Sequence, residues 1–299
     1  MAKNSLRVIA LIVIGLAVVA AAGCGSNSGQ STISQSLQSA IDAQSALFDV
    51  GISDAESSGG VTVLQTSSES YSWYRHFGPP SSISCTVLVQ DSSSALVRIS
   101  RSVEGALYYR LMAGSAKRLK YFSQDFGRFA KLTSTDGGTS WSLAQLSPAS
   151  AKSTRYSPAL GVGSVPCDIT ITRVMIICGG AVISDISVEA TAGGPWYDLS
   201  SLPKVTRGCT MEVKVYVTSL AGEKVLAYVW PSLKTTFRAP LYDEVADGVF
   251  SNSSNYLTVA TNETTGVKSL IVGAFSRDTL SDTITPYDYG AWHLLYQVE

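Results

Sequence analysis

Residues 134–141 read S-T-D-G-G-T-S-W. The carboxylate of Asp136 sits where it can accept hydrogen bonds from the amides that follow it. Gly137 and Gly138 can take positive φ without a Cβ penalty, and the Ser and Thr hydroxyls supply further local acceptors. Trp141 then offers a large apolar anchor at the start of the next strand. The octapeptide is therefore a tight turn between two strands, and the chain around it is expected to be rich in β-structure.

Working outward, residues 32–48 carry the one helical pattern. Ile33, Leu37, Ala40, Ile41, Ala43, Leu47 and Phe48 recur near a 3.6-residue period, with Ser31 or Thr32 as the expected cap. Residues 53–60 form a polar loop. From Val61 onward, short β-branched and aromatic runs alternate with Gly, Ser, Asp and Pro. The runs 61–65, 84–89, 95–99, 107–112, 169–177, 211–218, 225–230, 256–260 and 270–275 are expected strands. Frequent short strands with turn signals argue for an all-β sandwich, barrel or propeller.

Degenerate repetition selects among these. The string resembles the Asp-box (S-x-D-x-G-x-T-W) of sialidase-like, BNR-repeat β-propellers, with Ser140 in place of the usual Thr. Faded copies align at 65–73, 101–108, 189–196, 232–237 and 276–278. The positions matching Gly138 are spaced 33 to 55 residues apart, which brackets the roughly 40–50 residues of a four-stranded blade. V-P-C-D-I-T ahead of C-G-G-A-V-I also resembles the opening strands of such repeats. The resemblance implies an all-β fold, a β-propeller of about six degenerate four-stranded blades over residues 61–299, preceded by a short N-terminal helix. It gives Ser134, Asp136, Gly138, Ser140 and Trp141 a structural role on a blade's periphery, away from the central funnel.

The N-terminus bears on location. Lys3 and Arg7 precede an apolar run from Val8 to Ala22, which has the length of a secretory signal's hydrophobic part. The ending Ala21-Ala22-Gly23-Cys24 resembles a bacterial lipobox, with Ala21 where Leu is usual. That resemblance implies a signal peptide over 1–23, lipidation of Cys24, a flexible tether over 24–36, and a helix and loop over 37–60. Export to the outer side of a bacterial membrane follows, with the membrane as a partner through the lipid.

Cleavage before Cys24 removes Lys3 and Arg7 and leaves 20 basic against 23 acidic residues, a net charge of −3. So near-neutral a chain does not suggest a nucleic-acid partner. Beyond Cys24, the four cysteines Cys85, Cys167, Cys178 and Cys209 permit two disulfides in an exported protein. Two short strands between Cys167 and Cys178 would bring those sulfurs together, leaving Cys85–Cys209 as the second pair. No C-x-x-C or Cys/His cluster exists and the histidines are His76 and His293 alone, so neither a metal site nor a cofactor is expected.

Catalytic constellations are sparse. A sialidase-like site, by the same resemblance, needs an arginine in an F/Y-R-I-P motif ahead of the first box. The nearest string here is Phe237-Arg238-Ala239-Pro240, which comes after it. There is no G-x-S-x-G elbow, and Gly161-Val162-Gly163 lacks a following helix pattern. His76 reads as a hydrogen-bonded turn or surface residue, and the aromatics of 71–77 and 287–292 as strand packing, with sugar stacking as their alternative. Asn252 and Asn262 match the glycosylation sequon and read as loop residues. The chain is thus expected to be a binding or scaffolding module for a glycan, an envelope component or a protein. A glycoside hydrolase of the sialidase-like class is the alternative.

Overall fold

The computed structural model describes residues 33–48, 62–65, 70–78, 83–110, 116–157, 162–166, 168–187, 191–219, 224–230, 239–252, 257–259, 263–281 and 287–299. Helices α1 (Gln35–Asp42) and α2 (Ser45–Phe48) come first. Then follow β1 (Thr62–Gln65), β2 (Ser70–Phe77), β3 (Ser84–Gln90), β4 (Ser94–Arg110), β5 (Arg118–Thr133), β6 (Ser142–Leu146), β7 (Ala149–Ser157) and β8 (Val162–Pro166). The middle of the chain supplies β9 (Thr170–Cys178), β10 (Ala181–Ile186), β11 (Tyr197–Asp198), β12 (Lys204–Val205), β13 (Thr210–Thr218) and β14 (Val225–Trp230). The rest supplies β15 (Ala239–Leu241), β16 (Val249–Ser251), β17 (Leu257–Thr258), β18 (Gly266–Ser276), α3 (Asp278–Ser281) and β19 (Tyr289–Val298).

The ribbon β4–β5 is the spine of a 14-stranded sheet. It runs without a break from the pair Ser94↔Thr133 to the pair Tyr109↔Arg118. Its sequence shows why. Every even residue of β5 from Lys120 to Leu132 is buried, while the odd residues face outward, the period-2 pattern of a strand with one covered face. Each long strand serves two shorter neighbours placed end to end. On the far edge of β4, β3 takes residues 95–100 and β2 takes 105–110. On the far edge of β5, β7 takes 123–127 and β6 takes 130–133. The sheet then continues through β19, β18, β14 and β15.

A five-stranded sheet, ordered β10-β9-β13-β16 with β17 also on β13, stacks on one face of β18 and β19. Val174, Ile176, Val213 and Val215 meet Val272 and Leu294 in that core. The opposite face of β18 and β19 meets an aromatic core containing Trp73, Tyr109, Phe122, Tyr228, Phe275 and Tyr289. Strands covered on both faces lose the polar alternation, as β19 does from Tyr289 to Tyr296. Each large side chain so buried contributes about 1.5–3 kcal/mol. Gly273 marks the closest approach: a Cβ there would lie 2.6 Å from Cζ of Tyr228.

This pairing corrects the expected architecture. The all-β class holds, but six four-stranded blades are not what the described strands form. A blade bonds only within itself, whereas here most of the strands join in one continuous 14-stranded sheet and the other five form a second one. The seam expected at 101–108 lies in the middle of β4. There Gly105 is required by packing, since a Cβ would lie 2.6 Å from Phe122 Cζ. The runs 95–99 and 107–112, read as two strands, belong largely to this one.

Two smaller corrections follow. The helical pattern begins later than expected: Ser34 is the cap, its Oγ accepting from Leu37 N at 3.3 Å. Leu37 and Ile41 then bury the apolar face. The disulfide is Cys178–Cys209, with Cα atoms 5.9 Å apart. Residues 170–178 form one strand, not two, so Cys178 is carried roughly 26 Å along β9 from its start. There it meets Cys209, which directly precedes the neighbouring β13. Cys209 is therefore not the partner of Cys85. Cys167, like Cys24 and the rest of 1–32, lies outside the described residues.

Candidate functional site

The turn at 134–141 is built as its residues require. Asp136 Oδ1 accepts from Ser134 Oγ at 2.8 Å, Thr139 N at 3.0 Å and Ser140 N at 2.8 Å. Ser134 Oγ accepts from Gly138 N at 2.8 Å, while Gly137 and Gly138 take φ of 74° and 90°. Trp141 is buried in the core, and its Nε1 donates to Gly138 O at 3.1 Å. The Ser140 hydroxyl and amide, then the Ser134 hydroxyl, hold the Asp136 carboxyl down to about 2. Ser36 Oγ of α1 donates to Gly138 O at 3.2 Å, so the turn also seats the helix. All of this is structural.

Beside it lies a second Asp-centred turn, between β3 and β4. Asp91 Oδ1 accepts from Ser93 N and Ser94 N, both at 2.7 Å. The Ser93 amide and hydroxyl, then Ser94, hold its carboxyl down to about 2. Ser134 N donates to Ser93 O at 2.8 Å and ties the two turns together. They close one end of the β4–β5 ribbon, and just beyond them, on its outer face, an open cavity of about 870 Å³ begins.

Its floor is a single line of residues across five strands. Val89 on β3 pairs with Leu96 on β4, and Leu96 with Lys131 on β5. Lys131 pairs in turn with Gln145 on β6, and Gln145 with Asp198 on β11. Paired residues share a face, so the line passes from apolar to polar on one surface. Leu143 and Leu199 widen its apolar part, and Ser94, Thr133 and Ser200 add hydroxyls. Register shifts beside Val89 and Lys131 leave Leu88 and Ala144 as extra residues. Such bulges add local twist and bend the sheet, which gives the line its hollow.

Each polar group in the line is held in place. Lys131 Nζ donates to Gln145 Oε1 at 3.1 Å and lies 4.1 Å from the centroid of the Trp196 ring. Trp196 follows the turn in which Thr191 and Gly194 exchange backbone hydrogen bonds, the stretch read as a faded box. Asp198 Oδ1 accepts from Ser200 Oγ at 2.7 Å and Ser200 N at 2.9 Å. The Ser200 hydroxyl, then its amide, keep that carboxyl below the ordinary range. Lys131 and Asp198 lie two strands apart, roughly 10 Å, too far to neutralise one another. The cavity thus offers an ammonium, an amide and a carboxylate at the end of an apolar strip.

The remaining sequence candidates fall elsewhere. Trp73, Arg75 and Phe77 of β2 point into the aromatic core, while His76 is exposed on the outer face. Residues 289–292 are strand β19, in line with the packing role expected for them. Asn252 is a loop residue as expected, just past the end of β16, but it is fully buried: it accepts from Val213 N at 2.6 Å and donates to Met211 O at 3.1 Å. Phe237, Arg238 and Asn262 lie outside the described residues, and Ala239 and Pro240 open β15. Among the described residues no group of three His, Cys, Asp or Glu is placed to hold a metal ion.

Sequence reasoning missed Lys131, Gln145, Trp196 and Asp198. Their only local signal is the D-L-S turn at 198–200. It also missed Arg128, whose guanidinium is buried at the boundary of the two cores and donates to Leu47 O at the end of α2. Burial lowers the Arg128 pKa to about 10. No protein-family model, curated protein or solved structure matches the chain.

Proposed function

We propose that the outer-face cavity binds an amphipathic molecule of the cell envelope without transforming it, its apolar part on Val89, Leu96 and Leu143 and its polar head on Lys131, Gln145 and Asp198. The observation that carries this reading is the cross-strand line itself, which turns from apolar to polar within one cavity. Binding sites commonly pair an apolar lining with a few placed polar groups. In the same proposal the protein is exported and held at a membrane by lipid on Cys24, which would place the cavity near such molecules. The Asp-box-like turn serves as the brace at the cavity's mouth, whatever its family origin.

The glycoside-hydrolase alternative requires one carboxyl kept protonated opposite an ionised one. Asp91, Asp136 and Asp198, the acids around this cavity with a resolved direction, are all driven toward the ionised form. That favours binding over acid–base chemistry here.

Calorimetric titration with octyl glucoside below its micelle concentration, beside glucose alone, tests the reading. The alkyl glycoside is expected to bind at least roughly tenfold tighter than glucose, because each buried CH₂ contributes about 0.8 kcal/mol. Leu96→Asp and Lys131→Ala are each expected to weaken it. Equal affinity for glucose and the alkyl glycoside, or binding indifferent to both substitutions, overturns the proposal.

A further inference from the structure

At the opposite end of the same ribbon face the register builds a second hollow. Ala106 of β4 pairs with His76 on β2 and with Tyr121 on β5. Two residues away along β4, on the same face, stand Glu104 and Tyr108. A small residue is therefore ringed by two tyrosines, a histidine and a carboxylate. The cavity over it measures about 420 Å³, with the Phe122 ring also in its lining. Tyr121 is 57% exposed, so the wall it forms is open to an incoming molecule.

We propose that this hollow is a binding site for an organic ammonium group, of the quaternary or trimethylammonium type. Aromatic faces carry the negative part of the ring quadrupole and attract cations, most strongly those that are weakly hydrated. Glu104 supplies a full negative charge to the same cavity, and no described residue forms an ion pair with it. The protein's own chemistry already uses this surface in the same sense. The Lys117 ammonium lies 4.2 Å from the Tyr108 ring centroid and 4.6 Å from that of Tyr74, over rings stacked 4.8 Å apart. Lys117 and Tyr74 are not part of the cavity lining; Tyr108 is, with Glu104 beyond it. A methylated ammonium combines a charge for Glu104 with an apolar shell for the rings, whereas a small hydrated ion would leave the rings unused. The site stands apart from the Lys131 cavity and does not depend on what that cavity binds.

Calorimetric titration of the full chain with choline and with 3,3-dimethylbutan-1-ol, its uncharged carbon isostere, tests the proposal. Choline is expected to bind at least roughly tenfold tighter than the isostere, the scale of a partly desolvated cation–π contact plus a carboxylate. Tyr121→Ala and Glu104→Gln are each expected to weaken choline several-fold. Both side chains are exposed, so unfolding curves that superpose on the unaltered protein's will show that the loss is one of binding. Lys131→Ala is expected to leave choline binding unchanged. Equal affinity for choline and the isostere overturns the proposal, as does choline binding that survives Tyr121→Ala. Phosphatidylcholine and phosphatidylglycerol vesicles distinguish the source. Tyr121-dependent binding to the former alone identifies a lipid headgroup, and choline binding without vesicle binding identifies a free solute; either supports the site.

Discussion

Acidification should destabilise this protein through one histidine. His293 lies on β19, 3% exposed, its ring edge-on to Phe126 at 5.9 Å. Burial, and then the nearby charges of Arg128 and Arg75, push its pKa down to about 3 from an ordinary 6.5. The unfolded chain takes up a proton as pH falls through about 6.5, while the folded protein resists until about 3. Between those values the unfolded state binds more protons, so stability rises with pH and is lost on acidification. The loss is about 2 kcal/mol from pH 7 to 5 and about 3 kcal/mol from pH 7 to 4. That is a large share of the roughly 5–15 kcal/mol of a folded domain. The stabilisation from the depressed aspartates Asp91 and Asp136 is lost only as pH falls from 3.8 toward 2, below the range from pH 7 to 4. Urea unfolding at pH 4, 5, 6 and 7 should therefore show the decline in the unaltered protein and a nearly flat profile in His293→Leu. Parallel profiles for the two proteins would refute the reasoning.

Gly273→Ala would drive a methyl group into the buried ring of Tyr228 and disturb its 2.9 Å hydrogen bond to Tyr289. A loss of about 2–4 kcal/mol is expected in urea unfolding; the same substitution in a Tyr228→Leu background should be close to neutral. Asn252→Ala leaves Val213 N and Met211 O without their side-chain partner and should cost about 2–4 kcal/mol, read by thermal unfolding. A cost under about 0.5 kcal/mol would show that the asparagine is not the link between β13 and the end of β16. Replacing Cys178 and Cys209 by Ser opens a closure of 31 residues and should lower stability by roughly 3–4 kcal/mol. Peptide mapping of the unreduced protein that found Cys178 joined to any other cysteine would sink that assignment.

Much of the β-structure was legible, because its signals are local. The turn at 134–141 needs only Asp136, its neighbouring amides and two glycines, all within eight residues, and it forms as read. The helix could be read from Leu37 and Ile41, although its cap was misplaced by two or three residues. Gly105 shows where such reading fails. In R-S-V-E-G-A-L-Y a glycine beside an acid looks like a turn, but here its missing side chain makes room for Phe122 from the next strand. Phe122 is 17 residues away, and nothing at 105 announces it. The cysteines repeat the lesson. Cys178 and Cys209 meet because β9 and β13 are neighbours in a sheet, a fact about pairing and not about spacing.

The sequence by itself determined the chemistry of the turns, the period of the strands, the amphipathic helix and the β-rich class, since each depends on residues within about one turn or one strand of each other. Tertiary structure alone decided which strands became neighbours. From that came a continuous 14-stranded sheet where blades were expected, and a cavity whose floor draws on residues 89, 96, 131, 145 and 198. The physical reason is register. Period 2 tells each strand which side chains share a face, but only burial of the two cores selects the partner strand, and so which five side chains stand in line.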